Sequence, residues 1–231
     1  YWRDTHMRLT GGAVGSLQSA FILSWNFVAK DNMEIEEILL PKHKSASQKP
    51  VAVQIAASGP DSDWANIMEV MFCAINSARE SILITTPYFI PNNAIMTALT
   101  TASRSGVEVK IILPYESDSW AAQYATDSYI EECLNSGIVI NRYRKGFVHA
   151  KTLVIDDMFT SIGTANMDYR SFSMNFEINA LVYDKGINQQ MRKQFNIDLE
   201  DCDEVTRERW KNRNLNRRLK ESFSRLLAPL L

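Results

Sequence analysis

The sequence has 231 residues, of which 45% are hydrophobic and 23% are charged, with a formal net charge of −2 and a pI of about 6.0. This length suits one large domain, or one and a half small ones, with the composition of an ordinary globular protein. A near-neutral charge argues against a general nucleic-acid-binding protein, which usually carries a basic face and a high pI. The sequence contains no run of about 18 apolar residues, so it predicts no membrane-spanning helix.

The three cysteines, Cys73, Cys133 and Cys202, are widely spaced and form no C-x-x-C pair. This pattern is typical of buried free thiols in a reducing compartment. The sequence begins at Tyr1 rather than at methionine, and we therefore expect it to be a piece of a longer protein.

The first third of the chain divides into three parts. Residues 1–9 alternate polar and apolar side chains and predict a strand, which ends at a Gly11-Gly12 turn. Apolar residues then recur at helical spacing and predict a helix: Val14, Leu17, Phe21 and Trp25. Residues 42–50 (KHKSASQKP) are polar and rich in lysine and serine, which is typical of a linker.

After the linker, strand and helix patterns alternate to the end of the chain. Strands are predicted over residues 51–57, 81–86, 107–113, 138–143, 148–155, 158–162 and 177–183. Helices are predicted after Ser62 or Asp63, after Asn92 or Asn93, and from Ser119 to about Leu134. The alternation predicts an α/β fold with a sheet between helical layers.

Three polar residues, His149, Lys151 and Asp156, follow the spacing H-x-K-x4-D in the fifth of these predicted strands and just beyond it. An imidazole can act as a nucleophile or carry a proton near neutral pH. If residues 148–155 form a strand, His149 and Lys151 lie on the same face, because side chains alternate with period two. One phosphate group can then meet both side chains, while Asp156, seven residues further on, faces away.

The segment Gly163-Thr164-Ala165-Asn166 follows six residues after Asp156. Asn166 offers a neutral donor to a phosphate oxygen, and Gly163 would allow the backbone to come close to a ligand. A single histidine without a cysteine cluster cannot fill a zinc shell, so the segment does not predict a metal site.

This pattern resembles the HKD motif of the phospholipase D superfamily, H-x-K-x4-D-x6-G-S-x-N, with Thr164 in place of the usual serine. The surrounding sequence is similar to bacterial cardiolipin synthases of the phospholipase D type. The similar segments are residues 3–6 (RDTH), 86–91 (TPYFIP), 146–151 (GFVHAK), 166–172 (NMDYRSF), 175–177 (NFE) and 226–231 (LLAPLL).

The resemblance implies a phospholipase D-like mixed sheet between helices. It also implies transfer of a phosphatidyl group between two phosphatidylglycerol molecules, which gives cardiolipin and glycerol through a phosphohistidine. No metal or organic cofactor is implied. The expected partners are phosphatidylglycerol and an anionic membrane surface, not nucleic acid. The expected location is the bacterial inner membrane, through N-terminal segments absent from this sequence.

The family uses two histidines, and a faint internal repeat indicates where the second belongs. Residues 4–9, followed by a turn and a helix with Phe21, match residues 177–182, followed by a turn and a helix with Phe195. We therefore expect residues 1–49 to be the tail of a first phospholipase D-like repeat plus the linker. Residues 50–231 would be a second phospholipase D-like domain, and the N-terminal half of the site would precede Tyr1.

The resemblance also suggests roles. His149 would be the general acid and base, while Lys151, Gly163, Thr164 and Asn166 would bind the phosphate. Asp156 belongs to the motif's catalytic set, although its position predicts a role in the fold or the local charge balance.

A catalytic imidazole needs a carboxylate on its other nitrogen. The family places this acid on the strand after the motif, so Glu177 is expected to serve His149. The repeat then assigns Asp4 to the missing histidine. Tyr88, Phe89 and Phe147 are candidates to line the entrance of the site, with core packing as the alternative.

Two other functions remain open. The chain can be a single-motif phosphodiesterase, nuclease or phospholipase D hydrolase that completes its site by dimerising, or an inert half-site. The C-terminal segment is basic and carries a helical apolar stripe: Leu215, Leu219, Phe223, Leu226, Leu227 and Leu230. Such a helix can lie on anionic lipid, or its stripe can pack on the domain and leave the charges in solvent.

Overall fold

The computed structural model describes residues 1–30, 33 and 50–228. All of the predicted linker except Pro50, and residues 229–231 of the closing segment, lie outside the described residues.

The fold is built on an eight-stranded mixed sheet. In spatial order its strands are β12 (Cys202–Glu204), β6 (Val139–Tyr143), β5 (Glu108–Pro114), β3 (Ser81–Thr85), β8 (Thr152–Ile155), β9 (Phe159–Gly163), β11 (Glu177–Tyr183) and β2 (Ala52–Ser58). Strands β3, β5 and β6 are parallel, and every other pairing is antiparallel.

Two pairs of short strands lie outside this sheet. They are β1 (Trp2–Arg3) with β7 (Phe147–Val148), and β4 (Phe89–Ile90) with β10 (Met167–Asp168); both pairs are parallel. The helices are α1 (Ala13–Ala29), α2 (Asn66–Ser77), α3 (Asn93–Arg104), α4 (Trp120–Ser136), α5 (Tyr169–Ser173), α6 (Lys185–Glu200), α7 (Arg207–Lys211) and α8 (Leu215–Leu226).

Helices cover both faces of the sheet, which confirms the predicted α/β sandwich. Along β3, Ile82 and Ile84 join one buried cluster with side chains of α2, α3 and α4, whereas Leu83 joins a second cluster with Phe195 of α6. This alternation follows from the period of two along a strand. The central strands are buried on both faces and therefore read as continuous apolar runs.

The structure corrects two of the predicted strands. Of residues 1–9, only Trp2 and Arg3 form a strand, and residues 149–151 interrupt the strand predicted over 148–155. The interruption arises because β7 hydrogen-bonds to β1 rather than to the main sheet, so the chain enters the main sheet only at Thr152.

Helix starts were predicted with mixed success. Asn92 caps α3 by accepting a hydrogen bond from the amide of Ile95 (2.9 Å), and Ser119 caps α4. By contrast, α2 begins after Ala65 and has no side-chain cap, so neither Ser62 nor Asp63 serves it. Of the cysteines, Cys133 is buried, Cys202 half-buried and Cys73 exposed.

The apolar stripe of the C-terminal helix α8 does not pack on the domain, which was one of the two alternatives. Its buried residues are Glu221 and Ser224, while Leu215, Leu219, Phe223 and Leu226 are exposed. The charged face packs against α4, and the apolar stripe faces away from the domain.

The motif carboxylate Asp156 holds two strands together. Its side chain accepts hydrogen bonds from three successive backbone amides, those of Arg79 (2.9 Å), Glu80 (2.8 Å) and Ser81 (2.9 Å). These amides lead into β3, and Asp156 follows β8, the neighbouring strand. His149 precedes β8 and Asp156 follows it, and the four residues of β8 alone span roughly 13 Å at about 3.3 Å per residue. These contacts support the expected role of Asp156 in the fold, while its place in the motif's catalytic set stays a prediction.

We predict that Asp156→Ala lowers the free energy of unfolding by about 2 kcal/mol, because three backbone donors lose a charged acceptor. Urea denaturation of purified protein measures this. The matched control is Asp157→Ala, which removes an exposed carboxylate paired only with the exposed Lys185 and should change stability little. Equal stabilities of the two variants would contradict the assignment.

Candidate active site

The motif residues gather at one end of the main sheet. In the register of β3 with β8, Thr85 lies opposite Thr152, so the end of β3 and the start of β8 share this edge. Strand β9 ends here at Gly163, and β11 begins here at Glu177. Segments 149–151, 163–168 and the start of β11 therefore converge on one site.

The acid that contacts His149 is Asp4. The Asp4 carboxylate lies 3.1 Å from Nδ1 of His149, and the backbone amide of His149 donates to the carbonyl of Arg3 (2.7 Å). Arg3 in turn forms a nearly buried ion pair with Asp198 of α6 (2.7 Å). The pairing of β1 with β7 and this ion pair together carry Asp4 to the imidazole.

The predicted pairing of acids with histidines is therefore wrong in one respect: Asp4 serves His149, and Glu177 does not. The reason is topological, because a strand of the preceding segment lies beside the motif. Burial raises the pKa of Asp4, but the hydrogen bonds from His149 and from the Thr5 amide, together with the charges of Lys151 and His149, leave it lowered from its ordinary value.

Two aromatic rings lie beside His149. The ring centroids of Trp2 and Phe147 are 4.9 Å and 5.9 Å from that of the imidazole. Trp2 is 57% exposed, so an apolar wall borders the reactive ring on its open side. Of the other predicted lining residues, Phe89 is fully buried in the core, and Tyr88 donates its hydroxyl to Asp118 (2.7 Å).

Lys151 contacts the other nitrogen of His149. Its Nζ lies 2.9 Å from Nε2 and 2.6 Å from the carbonyl oxygen of the same residue. The two side chains therefore meet, as predicted, although no strand connects them. An ammonium only donates, so Nε2 accepts from Lys151, and the proton of the neutral imidazole is assigned to Nδ1, facing Asp4.

Burial lowers the pKa of Lys151 to about 8, against the opposing influence of three carboxylates: Asp4, Glu177 and Asp168. The half-buried ammonium of Lys151 thus lies close enough to these three carboxylates to be stabilised by their charge. A bound phosphate would add further negative charge beside it and favour the protonated lysine.

Gly163 is required by packing against the protein rather than by a ligand. A Cβ atom at this position would meet Oδ1 of Asn179 at 2.2 Å and the carbonyl of Ile178 at 2.4 Å. Packing against Asn179 and Ile178 therefore accounts for this glycine, and the ligand contact of Gly163 stays a prediction. Asn179 is buried, donates to Ser161 (2.9 Å) and accepts from the amide of Ala165 (3.2 Å), so it fixes the loop after β9.

Thr164 positions Glu177. The Thr164 hydroxyl donates to the Glu177 carboxylate and accepts from the amide of Ile178 (2.9 Å), while the Thr164 amide donates to the Ile178 carbonyl (3.0 Å). Both Thr164 donors are engaged within the protein, so its predicted phosphate contact is not available in this geometry. The second oxygen of Glu177 accepts from Asn175 (3.1 Å), and Glu177 is itself buried.

Asn166 lies next to Asp168 in the loop. Its amide hydrogen-bonds to the Asp168 carboxylate, whose pKa burial raises, and its Oδ1 is buried without a hydrogen-bond partner among the described residues. Asp168 also accepts from the amide of Ser171 (2.7 Å) and so caps α5. An unpaired polar atom in this position is the kind that a ligand or water satisfies.

Sequence reasoning missed three contributors to the site, namely Trp2, Asp168 and Asn179. Only Asp168 left a usable signal, an acid three residues before Ser171 at a helix start. Within residues 1–30, 33 and 50–228, no three histidine, cysteine or acidic side chains come together as a metal-binding group. In the same part of the chain, no helix has the length and apolarity needed to cross a membrane.

Residues 71–199, more than half of the chain, match the family model described as "Cardiolipin synthase, PLD-like domain". The chain belongs to this family. Cardiolipin synthase 2 of Staphylococcus epidermidis is 43% identical over 232 residues, covering all of this chain and 47% of its own length. The chain spans about half the length of the curated relatives it matches.

Two crystal structures show the same fold. A phospholipase D family member, Nuc from Salmonella typhimurium, is 22% identical with a TM-score of 0.58, over 68% of this chain and 99% of that one. The phosphatidylserine synthase of Haemophilus influenzae is 19% identical with a TM-score of 0.63, over 82% of this chain and 50% of that one. These likenesses support the predicted phospholipase D-like sheet between helices.

We predict that Asp4→Asn shifts the tautomer of His149. The carboxylate accepts the Nδ1 proton, whereas an asparagine amide can also donate to Nδ1 and so admits the Nε2–H form. Long-range ¹H–¹⁵N correlation spectra of the imidazole distinguish the two tautomers.

The matched control for this experiment is Glu177→Gln, which neutralises the other site carboxylate and should leave the His149 tautomer unchanged. A larger shift in Glu177→Gln than in Asp4→Asn would restore the pairing expected from the sequence.

Proposed function

We propose that this chain supplies the C-terminal half of a cardiolipin synthase, which transfers a phosphatidyl group between two phosphatidylglycerol molecules and releases glycerol. The observation that carries the proposal is the His149 imidazole held between Asp4 at Nδ1 and Lys151 at Nε2. Membership of the cardiolipin synthase family supplies the substrate class.

In the proposed first step, a histidine of the missing half attacks the phosphorus of one phosphatidylglycerol. The bond from phosphorus to the glycerol oxygen breaks. His149, protonated at Nε2 once Lys151 has moved from that atom to the phosphoryl oxygens, gives this proton to the glycerol oxygen. The Asp4 carboxylate stabilises the imidazolium form before transfer and holds the ring in place. The product is a phosphatidyl group bound to the other histidine, with His149 now neutral.

In the second step, Nε2 of His149 takes the proton from a hydroxyl of the second phosphatidylglycerol. The freed oxygen attacks phosphorus, the phosphorus–nitrogen bond breaks, and cardiolipin forms. Lys151 offsets the charge on the non-bridging phosphoryl oxygens in both steps, and we assign the Asn166 amide to the same oxygens. No metal ion or organic cofactor takes part in these steps.

Each histidine would be paired with an acid from the other repeat, and this pairing indicates what the missing half contributes. If the tail of the first repeat provides Asp4 to the second histidine, the equivalent acid of the second repeat, Glu177, serves the first histidine. Glu177 is held ready by Thr164 and Asn175, and neither contact is to His149. This supports a division of the chain into residues 1–49, belonging to the first repeat and linker, and residues 50–231, the second domain.

Helix α1 supports the same division. In the repeat, Phe21 of α1 corresponds to Phe195 of α6, which is buried against the sheet, yet Phe21 is 53% exposed. Its neighbours Leu23, Trp25 and Phe27 are also exposed. Helix α1 packs against the main sheet at its edge strand, β2. We assign the sheet of the missing half as its cover. The whole protein is placed at the bacterial inner membrane through segments of that half.

The test uses the longer protein in which this chain occurs, presented with phosphatidylglycerol in mixed detergent micelles. Mass spectrometry of the lipids and assay of free glycerol should show equal amounts of cardiolipin and glycerol. His149→Gln should lower turnover about 10²–10⁴-fold, the usual contribution of a general acid and base.

Other products would support the alternatives. Phosphatidic acid in place of cardiolipin would indicate a phospholipase D hydrolase. Metal-independent cleavage of plasmid by a dimer of the 231-residue chain would indicate a nuclease. The chain alone is expected to be inert, because it carries one of the two histidines.

We further predict that Glu177→Gln severely lowers turnover while the urea midpoint stays close to that of the parent protein, because the glutamine amide can retain contacts with Thr164 and Asn175. Lipid turnover and urea denaturation of the same preparation measure the two effects. Near-normal turnover would remove Glu177 from the site.

The Lys151 pKa of about 8 predicts a pH dependence. Below this pKa the lysine is cationic and attracts the phosphate, and above it the neutral amine does not. We therefore expect kcat/KM, which reports the free enzyme, to fall as the pH rises above about 8. In Lys151→Arg the guanidinium keeps its charge, so this alkaline fall should move to higher pH even if the overall rate is lower. An unchanged alkaline limb in that variant would assign the fall to another group.

A further inference from the structure

Helix α8 is fixed to the domain by its charged face. Glu221, 3% exposed, accepts from Arg213 (2.8 Å) and pairs with Arg217 (3.4 Å). Arg217 also reaches the fully buried Asp127 of α4 (2.7 Å). Turning the helix to bury its leucines would take these guanidinium partners from two buried carboxylates, a costly change. The orientation of α8 is therefore set by charge rather than by apolar burial.

This orientation leaves a continuous apolar stripe in solvent. It consists of Leu215 (69% exposed), Leu219 (60%), Phe223 (60%) and Leu226 (79%). The spacings of four, four and three residues place these side chains on one face of the helix. We call this set the α8 stripe.

The exposed charges on α8 itself are cationic, and two of them pair with acids of α4: Arg218 with Glu131 (4.0 Å) and Arg225 with Glu132 (3.2 Å). Between Leu215 and Leu226 the only acid is the buried Glu221, whereas the side chains of Arg217, Arg218 and Arg225 are each between 43% and 48% exposed. Lys220 lies 5.3 Å above the ring of Tyr124. The chain as a whole has a net charge of −2, so this cationic face contrasts with the overall balance.

The surface around α8 reaches the end of the sheet that carries His149. Tyr124 is one helical turn after Trp120, which begins α4 and is 68% exposed. Trp120, Tyr124 and Lys220 line one cavity of about 880 Å³. Because α4 follows the end of β5, Trp120 lies toward the edge of the sheet where the motif residues gather. Tryptophan at such a border is typical of contact with a membrane interface.

The position and charge of the α8 stripe favour lipid over the two protein occupants. The tail of the first repeat ends in α1 against β2, at one edge of the sheet, whereas α8 packs on α4 toward β6 and β12 at the other edge. Seven spacings of about 4.8 Å separate these edges by roughly 34 Å. A second copy on the same face would bring the exposed arginines of the two α8 helices close together, and gel filtration tests this occupant directly.

We propose that the α8 stripe inserts into the surface of an anionic lipid bilayer, with Arg218 and Lys220 on the lipid headgroups. It thereby turns the His149 end of the sheet toward the membrane. The proposal deepens the proposed function, on which it rests for the identity of the lipid substrate. It assigns a surface of this chain, in addition to any segment of the missing half, to membrane contact.

The first experiment is co-sedimentation of the 231-residue chain with vesicles of equal parts phosphatidylglycerol and phosphatidylcholine. Leu219→Gln with Phe223→Gln should weaken the partition coefficient at least about tenfold, because two apolar side chains no longer leave water. Glutamine retains high helix propensity, so α8 should stay folded, which circular dichroism checks. The matched control is Leu23→Gln with Phe27→Gln on α1, the same changes at the same spacing on exposed residues, which should leave binding unchanged.

The charge contribution is tested separately. Arg218→Gln and Lys220→Gln should each weaken binding about fivefold to the anionic vesicles, and neither should matter for vesicles of phosphatidylcholine alone. An equal loss of vesicle binding in the α1 and α8 variants would overturn the proposal, because non-specific binding through any exposed apolar side chain would then explain the result. A dimer of the chain in gel filtration that the α8 changes convert to a monomer would also overturn it, in favour of a second copy.

Activity of the longer protein separates this proposal from the proposed function. With the α8 changes, turnover of phosphatidylglycerol in vesicles should fall, while turnover of a short-chain phosphatidylglycerol dissolved as monomers should not. Unchanged turnover on vesicles would refute the membrane role of the α8 stripe. If the parent protein forms no cardiolipin from either substrate, the proposed function fails, and vesicle binding still decides the proposal on α8.

Discussion

The site depends on the contact between the first residues of the chain and the motif segment. The pairing of β1 with β7 carries Asp4 to Nδ1 of His149, and the ion pair of Arg3 with Asp198 anchors that strand to the opposite helical layer. Without this short pairing, the imidazole would have no carboxylate and no defined tautomer. In the proposed division of the chain, the acid of one repeat would thus complete the site of the other.

The electrostatics of the site explain why a lysine and several acids lie together there. Asp4, Glu177 and Asp168 surround Lys151, whose burial would otherwise disfavour its charge still more strongly. Each acid is also held by a neighbour: Asp4 by the amide of Thr5, Asp168 by that of Ser171, and Glu177 by Thr164. The charged groups around Lys151 are therefore held in place by the protein itself, as electrostatic stabilisation of a ligand requires.

The fold was largely predictable from the sequence, whereas the arrangement of the site was less so. Buried apolar strands such as β3 and β5 and capped helices such as α3 leave strong local patterns, and the HKD spacing located His149 and Lys151. The pairing of Asp4 with His149 depends on residues 145 positions apart, and no local pattern encodes it. Likewise, the orientation of α8 is set by Asp127 and Arg213, which lie outside the amphipathic helix pattern, so its hydrophobic periodicity left both orientations open.

The hydrogen bonds from the amides of residues 79–81 to Asp156 give a structural reason for the spacing of the motif. This carboxylate fixes the far end of β8 against the start of β3, and four paired residues, from Ile82 with Ile155 to Thr85 with Thr152, separate it from the reactive end. The number of residues between Lys151 and Asp156 therefore sets the length of β8. Because β8 begins at Thr152, its length fixes the point at which Lys151 and His149 leave the edge of the sheet. We therefore expect Asp156 to influence the site through the fold rather than through contact with a ligand.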